Sequence, residues 1–453
     1  MIHKYSMNGL FIVIDVNSGA VHVVDKIVYD ILDFYDKNSI DEIIEILKIK
    51  YTREEITEGY NEIKELEENQ MLYTKDEYED IIPQINKRNP VVKALCLHIA
   101  HDCNLKCRYC FASEGEYHGK RELMSFEVGK KAIDFLILAS GKRKNLEVDF
   151  FGGEPLMNFD VVKEIVFYAR EREKETGKNF RFTITTNGIL LNDDIQNFIN
   201  ENMNNVVLSI DGRKEVNDKM RMRVGGQGSY DTIVPKFQKI ADSRNQTDYY
   251  VRGTYTRENL DFSNDVLHLA NLGFKQISVE PVVADEEQSY SLKKEDLPKL
   301  FNEYEKLAEE LSRRKNTEKD FNFFHFMIDL NGGPCIAKRL IGCGSGTEYL
   351  AVTPDGALYP CHQFAGMEEF KMGTVYNGIE NVKLRQKFED CNVYSKPKCR
   401  DCWAKFYCSG GCVANSYNIN GDFVTPYEIG CELQRKRVEC AIMLKACENF
   451  ADR

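Results

Sequence analysis

Three cysteines stand within a stretch of eight residues in the first quarter of the chain. In HDCNLKCRYCFAS, Cys103, Cys107 and Cys110 are separated by three and then two residues, a spacing that folds three thiolates onto one side of a short loop. A structural zinc site closes with four ligands, so three thiolates leave one coordination position open. A [4Fe–4S] cube that is held through three of its irons has an open position on the fourth, where a ligand can bind and react. Taken alone, the spacing also fits zinc.

The composition is that of a globular protein and excludes several functions. The 453 residues are 43% hydrophobic and 29% charged, and this length predicts two or three domains. The formal charge of −12 argues against non-specific binding to nucleic acid. No apolar run approaches the ~18 residues of a membrane span, and the N-terminal residues lack the apolar core of a secretion signal. We therefore expect a cytoplasmic protein that binds neither nucleic acid nor membrane.

The chain has 15 cysteines, and most of them are clustered. Three lie at 103–110 and nine lie between 335 and 431. A disulfide framework is not expected in the cytosol, where thiols are kept reduced. Clustering at short spacings instead indicates metal binding.

The N-terminal residues predict a small module of strands and helices. Residues 3–24 read as three short strands, with turns at Asn8-Gly9 and Asn17-Ser18-Gly19. Three helical patterns follow, and the last runs from Thr52 to Asn69. Together they predict a winged-helix-like module over residues 1–82. Pro83 and Pro90 mark a linker at 83–92.

From 93 to 315 the pattern alternates between strands and helices. Strands are predicted at 93–100, 146–152, 180–186, 205–211, 249–256 and 275–283. Six consecutive βα units predict an α/β fold, a parallel sheet curled into a partial (β/α)6 TIM-like barrel. Ligands gather at the carboxyl ends of such strands, and the three-cysteine loop follows the first strand. Residues 316–453 are predicted to form a bridging region and a cysteine-rich domain that bound metal stabilises.

CxxxCxxC with Tyr109 before its last cysteine resembles the signature of the radical S-adenosylmethionine (SAM) enzymes. The resemblance implies that Cys103, Cys107 and Cys110 hold a [4Fe–4S] cluster whose open iron chelates SAM. It further implies that reductive cleavage of SAM gives a 5′-deoxyadenosyl radical, which abstracts a hydrogen atom.

The ends of the next predicted strands also resemble this family. Strand two runs into a GGEP motif, whose backbone is expected to receive the methionine amino group. Strand three ends in Thr186-Asn187-Gly188, and strand four ends where the family places groups that contact ribose. An arginine ten residues further on matches the family's carboxylate ligand, a task that suits a guanidinium. The implied SAM-binding residues are Tyr109, Phe151, Gly152, Gly153, Glu154, Asn187, Ser209, Asp211 and Arg221. No separate catalytic side chain is assigned.

The C-terminal cysteines carry a second resemblance, to the SPASM extension of radical enzymes that modify peptides. CxxCxxxxxCxxxC at 399–412, with Cys343 and Cys361 upstream, implies two auxiliary [4Fe–4S] clusters, and hence three in all. The outer cluster is assigned to Cys399, Cys402, Cys408 and Cys431, and the inner cluster to Cys343, Cys361 and Cys412. Cys335, which follows Gly332-Gly333-Pro334, either completes the inner cluster or leaves it with an open iron. A pair of structural zinc sites is the alternative.

The N-terminal module resembles the peptide-recognition element of ribosomal-peptide maturases. The resemblance implies that a leader peptide adds as a strand beside residues 20–24, with the helix at 52–69 as the other wall. A decorative or dimerising domain is the alternative. Residues 338–366 resemble the maturases of six-cysteine-in-forty-five (SCIFF) peptides, which join Cys sulfur to carbon as a thioether. The implied partners are a Cys-rich precursor peptide and an electron donor such as flavodoxin or ferredoxin.

One departure separates the chain from the sulfatase-maturing branch of the family. That branch has Asp directly after the cysteine of its YPC segment, whereas this chain has His362. We therefore expect thioether formation rather than formylglycine formation. Another SPASM peptide modification, either a carbon–carbon crosslink or a formylglycine-type oxidation, is the first alternative, and a non-catalytic metal-binding protein is the second.

Overall fold

The computed structural model describes residues 1–86, 90–330 and 335–451. The predicted approach to Cys335, Gly332-Gly333-Pro334, lies outside the described residues, as do residues 87–89 of the predicted linker. The described residues form a small N-terminal sheet with three helices, a large sheet flanked by helices, and a cysteine-rich C-terminal region.

The N-terminal module is a three-stranded antiparallel sheet followed by three helices, as predicted. Its elements are β1 (Ile2–Met7), β2 (Leu10–Asp15), β3 (Val21–Val24), α1 (Lys26–Ile31), α2 (Ile40–Leu47) and α3 (Arg53–Glu68). Ser39 and Thr52 each start a helix with a capping box. Val28 and Ile56 belong to a core that the module builds for itself. The strand order β1-β2-β3 puts β3 at an edge, where it has no second partner strand among the described residues.

The predicted linker begins inside a packed region. Residues 82–86 form a short helix, α4 (Ile82–Asn86), with Pro83 in its first turn, where the missing N–H costs nothing. Ile85 is buried in a small cluster that also contains Leu340. The proline therefore marks the start of a helix, and the expectation of a plain linker from residue 83 was wrong for this part.

Six parallel strands of the large sheet lie side by side in the same order as they occur along the chain. In sequence the elements of residues 94–323 are β4 (Ala94–His101), β5 (Leu105–Cys107), β6 (Glu122–Leu123), α5 (Phe126–Ala139), β7 (Asn145–Gly152), α6 (Phe159–Thr176), β8 (Asn179–Thr186), α7 (Asp193–Asn202), β9 (Asn205–Ser209), α8 (Lys214–Met220), β10 (Arg221–Arg223), α9 (Tyr230–Ser243), β11 (Tyr249–Tyr255), α10 (Phe262–Asn271), β12 (Gln276–Pro281), α11 (Leu297–Arg314) and β13 (Asn322–Phe323). Strands β5 and β10 pair with each other as a separate ribbon. Strands β4, β7, β8, β9, β11 and β12 pair in that order and in parallel, which confirms the six predicted βα units.

The parallel strands have one fully buried face and one face that is more accessible to solvent. Leu97, Phe150 and Phe182 are fully buried, whereas Asp149 and Arg181, on the other face, remain accessible. We call the space bounded by the accessible face the lumen. Because parallel strands end at the same edge, the loops after β4, β7, β8 and β9 meet above it.

The C-terminal region continues the same sheet. Its elements are α12 (Ile336–Ile341), β14 (Tyr349–Val352), β15 (Ala357–Tyr359), β16 (Gly373–Thr374), β17 (Gly378–Ile379), α13 (Val382–Glu389), α14 (Pro397–Arg400), α15 (Lys405–Cys408), α16 (Val413–Asn420) and α17 (Glu428–Ala451). Strand β14 pairs in parallel with β4, opposite Leu95 and Leu97. The cysteine-rich region is thus joined to the first barrel strand by backbone hydrogen bonds.

Candidate active site

The three-cysteine loop lies directly after β4 and its thiols share one buried site. The backbone N–H of Leu105 donates to Cys103 Sγ at 3.4 Å, and Asn187 Nδ2 approaches the same sulfur at 3.7 Å. Burial raises the pKa of Cys103 to about 12 and that of Cys107 to about 11, and the charge of Cys110 adds to both shifts. A metal that binds here must displace thiol protons.

A two-stranded ribbon brings Arg221 to the cysteine loop. Strand β10 pairs antiparallel with β5, and Arg221 lies opposite Cys107. The guanidinium is buried, and its positive charge opposes the effect of burial on the pKa of Cys107. The arginine that sequence spacing assigned to SAM therefore lies beside the predicted iron ligands.

Three of the predicted SAM-binding residues are joined in a chain of hydrogen bonds. Tyr109 Oη donates to the Asp211 carboxylate at 2.8 Å and accepts from Arg221 Nη1 at 2.9 Å. Burial raises the pKa of Asp211 to about 6, and Arg221 and Tyr109 act against that rise. Arg221 Nε is buried without a hydrogen-bond partner, so this guanidinium still has a donor to offer to an anionic ligand.

The glycines that follow β7 allow the backbone to approach the cysteine loop. A Cβ on Gly152, whose φ is +123°, would lie 2.4 Å from the carbonyl oxygen of Ala100. A Cβ on Gly153 would lie 2.1 Å from the carbonyl oxygen of Asp102. Only glycine permits this contact between the end of β7 and the loop that starts at residue 102.

Glu154 is a positioning residue within the site. Its side chain is fully buried and accepts hydrogen bonds from the backbone N–H of Asn187 at 2.7 Å and from Thr186 Oγ1 at 2.8 Å. Burial raises its pKa to about 7, while these hydrogen bonds act in the opposite direction. The carboxyl group ties the end of β8 to the end of β7. Asn187 then reaches the cysteine loop, where its Nδ2 donates to Asn104 Oδ1 at 2.7 Å.

Aromatic rings connect the first cysteine loop to the cysteine-rich region. Phe111 directly follows Cys110, and its ring centroid lies 5.5 Å from that of His362, which directly follows Cys361. The Phe151 ring, on the lumen side of β7, lies 5.1 Å from His362. Burial lowers the pKa of His362 to about 4, so the ring is neutral at neutral pH. Ser209, which was also assigned to SAM, is half-buried at the end of β9.

A pair of histidines beside this contact was missed in the sequence. His98 Nδ1 lies 3.0 Å from His101 Nε2, and both rings are buried. The Tyr117 ring packs on both and its hydroxyl donates to the carbonyl of Gly152 at 3.0 Å. The only sequence signal is that His98 lies on the lumen face of β4, between apolar residues that face the other way.

The four cysteines assigned to the outer auxiliary cluster surround one small cavity. Cys399, Cys402, Cys408 and Cys431 line a volume of about 90 Å³. Burial raises the pKa of Cys399, Cys408 and Cys431 to about 11. Arg435 Nη1 lies 3.9 Å from Cys402 Sγ. Sulfurs placed around a volume, instead of converging on a point, suit a group of several irons that each take one thiolate.

The three cysteines assigned to the inner cluster are also brought together. Burial raises the pKa of Cys361 to about 12, with further contributions from the charges of Cys412 and Cys343. Cys335 is exposed at the start of α12, next to the residues that the structure does not describe. Among the described residues, no three His, Cys, Asp or Glu side chains are close enough to hold a single metal ion. The outer donor set, four thiols around a common space, fits an iron–sulfur cluster.

Comparison with known proteins identifies the two cysteine-bearing regions. The radical SAM superfamily model matches residues 97–259, and the SPASM model, an iron–sulfur cluster-binding domain, matches residues 343–403. The cysteine-type anaerobic sulfatase-maturating enzyme of Clostridium novyi is 26% identical over 334 residues, 69% of this chain and 86% of that protein.

Solved structures share the fold. The structure of anSMEcpe with bound AdoMet has a TM-score of 0.64 at 19% identity and covers 80% of this chain and 99% of that one. The structure of Streptococcus suis SuiB bound to the precursor peptide SuiA has a TM-score of 0.55 at 16% identity and covers 94% of this chain and 98% of that one.

The chain belongs to the radical SAM superfamily and carries an SPASM domain. Membership brings a need for a [4Fe–4S] cluster and SAM, and the SPASM domain brings further iron–sulfur clusters. In the part of the chain that the structure describes, no helix has the length and apolar character to cross a membrane.

Proposed function

We propose that this protein matures a ribosomally made, Cys-rich precursor peptide by closing thioether bonds between Cys sulfur and carbon. The proposal includes three [4Fe–4S] clusters, held by Cys103, Cys107 and Cys110 and by the outer and inner groups of the SPASM domain. SAM bound at the first cluster supplies, when reduced by an external donor such as flavodoxin or ferredoxin, a radical that abstracts hydrogen.

The observation that carries the proposal is the contact between Phe111 and His362. These rings follow Cys110 and Cys361, and their centroids are 5.5 Å apart. The radical site and the inner auxiliary group thus open onto the same part of the lumen. A substrate held there has its carbon beside one group and its thiol beside the other, which thioether closure requires.

The chain's own residues hold the cofactor. Arg221, with its free Nε, is the candidate to bind the SAM carboxylate, and Tyr109 fixes the guanidinium against Asp211. The backbone after β7 approaches closely enough to receive the amino group, because Gly152 and Gly153 carry no side chain. The rings of Phe111 and Phe151 both lie against His362, at the side of the site that faces the cysteine-rich region.

Each thioether removes two hydrogen atoms from the peptide. The hydrogen atom on carbon leaves with the radical derived from SAM, the thiol proton passes to a base, and one further electron must leave. Neutral His362, which directly follows Cys361 and contacts the Phe151 ring, lies where it could accept a hydrogen bond from the thiol. The SPASM clusters are the proposed acceptor for the remaining electron.

The N-terminal module is the proposed leader-binding site. Strand β3 is an edge strand, and an extended peptide can add to such an edge by main-chain hydrogen bonds. Support comes from the fold alone, since the SuiB structure, which matches 94% of this chain, is bound to a precursor peptide.

Sulfatase maturation is the second candidate. The Clostridium novyi relative, which this chain matches over 86% of its length, is a cysteine-type anaerobic sulfatase-maturating enzyme. Formylglycine, the aldehyde that sulfatase maturation makes from Cys, reacts with hydrazides. A thioether does not react with hydrazides, and it protects its Cys from alkylation.

The deciding experiment is fragmentation mass spectrometry of a Cys-rich peptide encoded beside the gene, co-expressed with this protein. We expect the loss of two hydrogens per modified Cys, no reaction with iodoacetamide at that Cys, and no hydrazide adduct. A hydrazide-reactive product from a sulfatase-type peptide, with the Cys-rich peptide left unmodified, would establish the second candidate instead.

A further inference from the structure

A buried lysine without an acidic partner lies in the SPASM domain. Lys396 is 2% exposed, and its Nζ donates to the carbonyl oxygen of Gly410 at 2.8 Å. It forms no ion pair with a carboxylate among the described residues, whereas Lys405, which is buried to a similar degree, pairs with Asp76 at 2.6 Å. A buried charge that lacks a counter-charge is costly, so this ammonium requires an explanation.

The ammonium lies between the two groups of SPASM cysteines. Lys396 Nζ and Cys399 Sγ approach the same carbonyl oxygen, that of Gly410, at 2.8 Å and 3.9 Å. Gly410 lies between Cys408, of the outer group, and Cys412, of the inner group. The lysine stem runs along this turn, with its Cδ in van der Waals distance of the place where a Gly410 Cβ would stand.

The positive charge of Lys396 suits this position. Four thiolates around an iron–sulfur core leave a net negative charge, which a buried cation can balance.

We propose that the Lys396 ammonium is the shared counter-charge of the two auxiliary iron–sulfur clusters and raises the potential at which they accept an electron. The inference rests on the proposed function, because it requires clusters at both cysteine groups. Reduction adds one electron, and thus one negative charge, to a cluster without adding a proton. A fixed cation nearby stabilises the reduced form more than the oxidised form. Lys396 thus places a fixed positive charge beside the clusters, and this charge favours their uptake of the electron that leaves the peptide.

The test is a potentiometric titration, followed by electron paramagnetic resonance, with dithionite as the reductant. Full-length protein with Cys103, Cys107 and Cys110 replaced by Ala is used, so that only the auxiliary clusters contribute to the signal. Lys396→Met keeps the length of the side chain and removes its charge. We expect the reduction equilibrium to fall at least tenfold, which is about 59 mV for a one-electron couple. Lys383→Met is the control, because Lys383 lies on α13, outside the cavity of the outer cysteines, and is exposed to solvent that screens its charge.

Unchanged potentials in Lys396→Met, with the auxiliary iron in place, would overturn the inference and leave the proposed function standing. An equal shift in Lys383→Met would also overturn it, because the effect would then belong to the overall charge of the domain. Absence of iron from the parent protein would contradict both proposals.

If Lys396→Met does not retain its clusters, the melting temperatures of the cluster-free proteins test the inference instead. Without clusters the buried ammonium has no ion-pair partner among the described residues, so apo Lys396→Met should melt at or above the temperature of the apo parent. A lower melting temperature would show that Lys396 acts through packing, and would overturn the inference.

Discussion

At the residue scale, the phenol of Tyr109 explains how the first cysteine loop is joined to the SAM-binding residues. It stands one residue before Cys110 and connects Arg221 to Asp211, two residues from different parts of the sheet. Sequence spacing suggested each of the three separately. Their connection follows from the pairing of β5 with β10, which spacing alone does not reveal.

Tyr109→Phe should weaken SAM binding. The change removes the hydroxyl that holds Arg221 and takes one of its hydrogen bonds from the buried Asp211 carboxylate, which keeps the bond from the Thr254 N–H, a loss of about 1.5–3 kcal/mol. We therefore expect the Kd for SAM to rise by about tenfold or more, measured by equilibrium dialysis with reconstituted protein. Tyr168→Phe is the control, since it removes a 2.8 Å hydrogen bond to the carboxylate of Asp134, a half-buried side chain on α5. Equal SAM affinity in wild type and Tyr109→Phe would refute this role.

Asp149 makes the stability of the apo-protein depend on pH. Burial and repulsion by Glu147 raise its pKa to about 7, whereas an unfolded Asp has a pKa of ~4. The folded chain therefore holds a proton that the unfolded chain has lost, and stability falls as the pH rises from ~4 to ~7. Asp149→Asn removes this fall in stability, because the amide does not ionise. Its free energy of unfolding, relative to wild type, should thus increase between about pH 5 and about pH 8 by an amount on the order of 2 kcal/mol, and its relative melting temperature should rise with it.

Thermal melts at several pH values check this prediction, with Asp160→Asn as the control on an exposed helix position. The control's difference from wild type should not change with pH in this range. A constant difference for Asp149→Asn as well would mean that Asp149 is ionised in the folded lumen.

At the element scale, the edge strand β3 is the most exposed part of the proposed recognition path. Asp15 N–H donates to the carbonyl of Ala20 at 2.9 Å, which fixes the alternation of the β2–β3 ladder. Counting from that pair, His22 and Val24 bond to β2, while the N–H groups of Val21 and Val23 point to the free edge. An added peptide strand would pair with those two residues.

Val23→Pro should abolish leader binding while the module stays folded. Proline removes an outward N–H, and proline is tolerated on edge strands. A fluorescent leader peptide should bind wild type and the matched control Val23→Ala, which keeps the N–H, and should lose at least about tenfold in affinity to Val23→Pro. Undiminished binding by a folded Val23→Pro protein would exclude β-augmentation at this edge.

Some elements of this protein could be predicted from its sequence and others could not, and the difference has a physical cause. The barrel strands were predictable because alternating or continuous apolar runs between helices have few other solutions, whereas the cysteine groups were expected from a family resemblance. The burial of Lys396 was not, because in KPKC a lysine beside a proline reads as a solvated turn. Nor was α4, since Pro83 is compatible with both a linker and a first helical turn. These depend on tertiary contacts that local pattern does not contain.

At the scale of the whole molecule, the N-terminal module contacts the SPASM domain directly. The His3 ring on β1 stacks on Trp403 with centroids 3.8 Å apart, and Trp403 follows Cys402 of the outer cysteine group. Asp76 accepts hydrogen bonds from both Lys405, at 2.6 Å, and Tyr394, at 2.7 Å. Deleting the module would therefore also remove contacts to the SPASM domain. Single changes on β3 test leader recognition more cleanly than a truncation does.

The central claim is that a radical generated at Cys103, Cys107 and Cys110 oxidises a peptide bound in the lumen. The most direct measurement combines 5′-deoxyadenosine release and peptide mass in one anaerobic reaction with the Cys-rich peptide. Reconstituted wild type should hold about twelve irons, and each loss of two hydrogens should accompany one 5′-deoxyadenosine. The protein with these three cysteines replaced by Ala should keep about eight irons and form neither product. Peptide oxidation or SAM cleavage that persists in this variant would contradict the account.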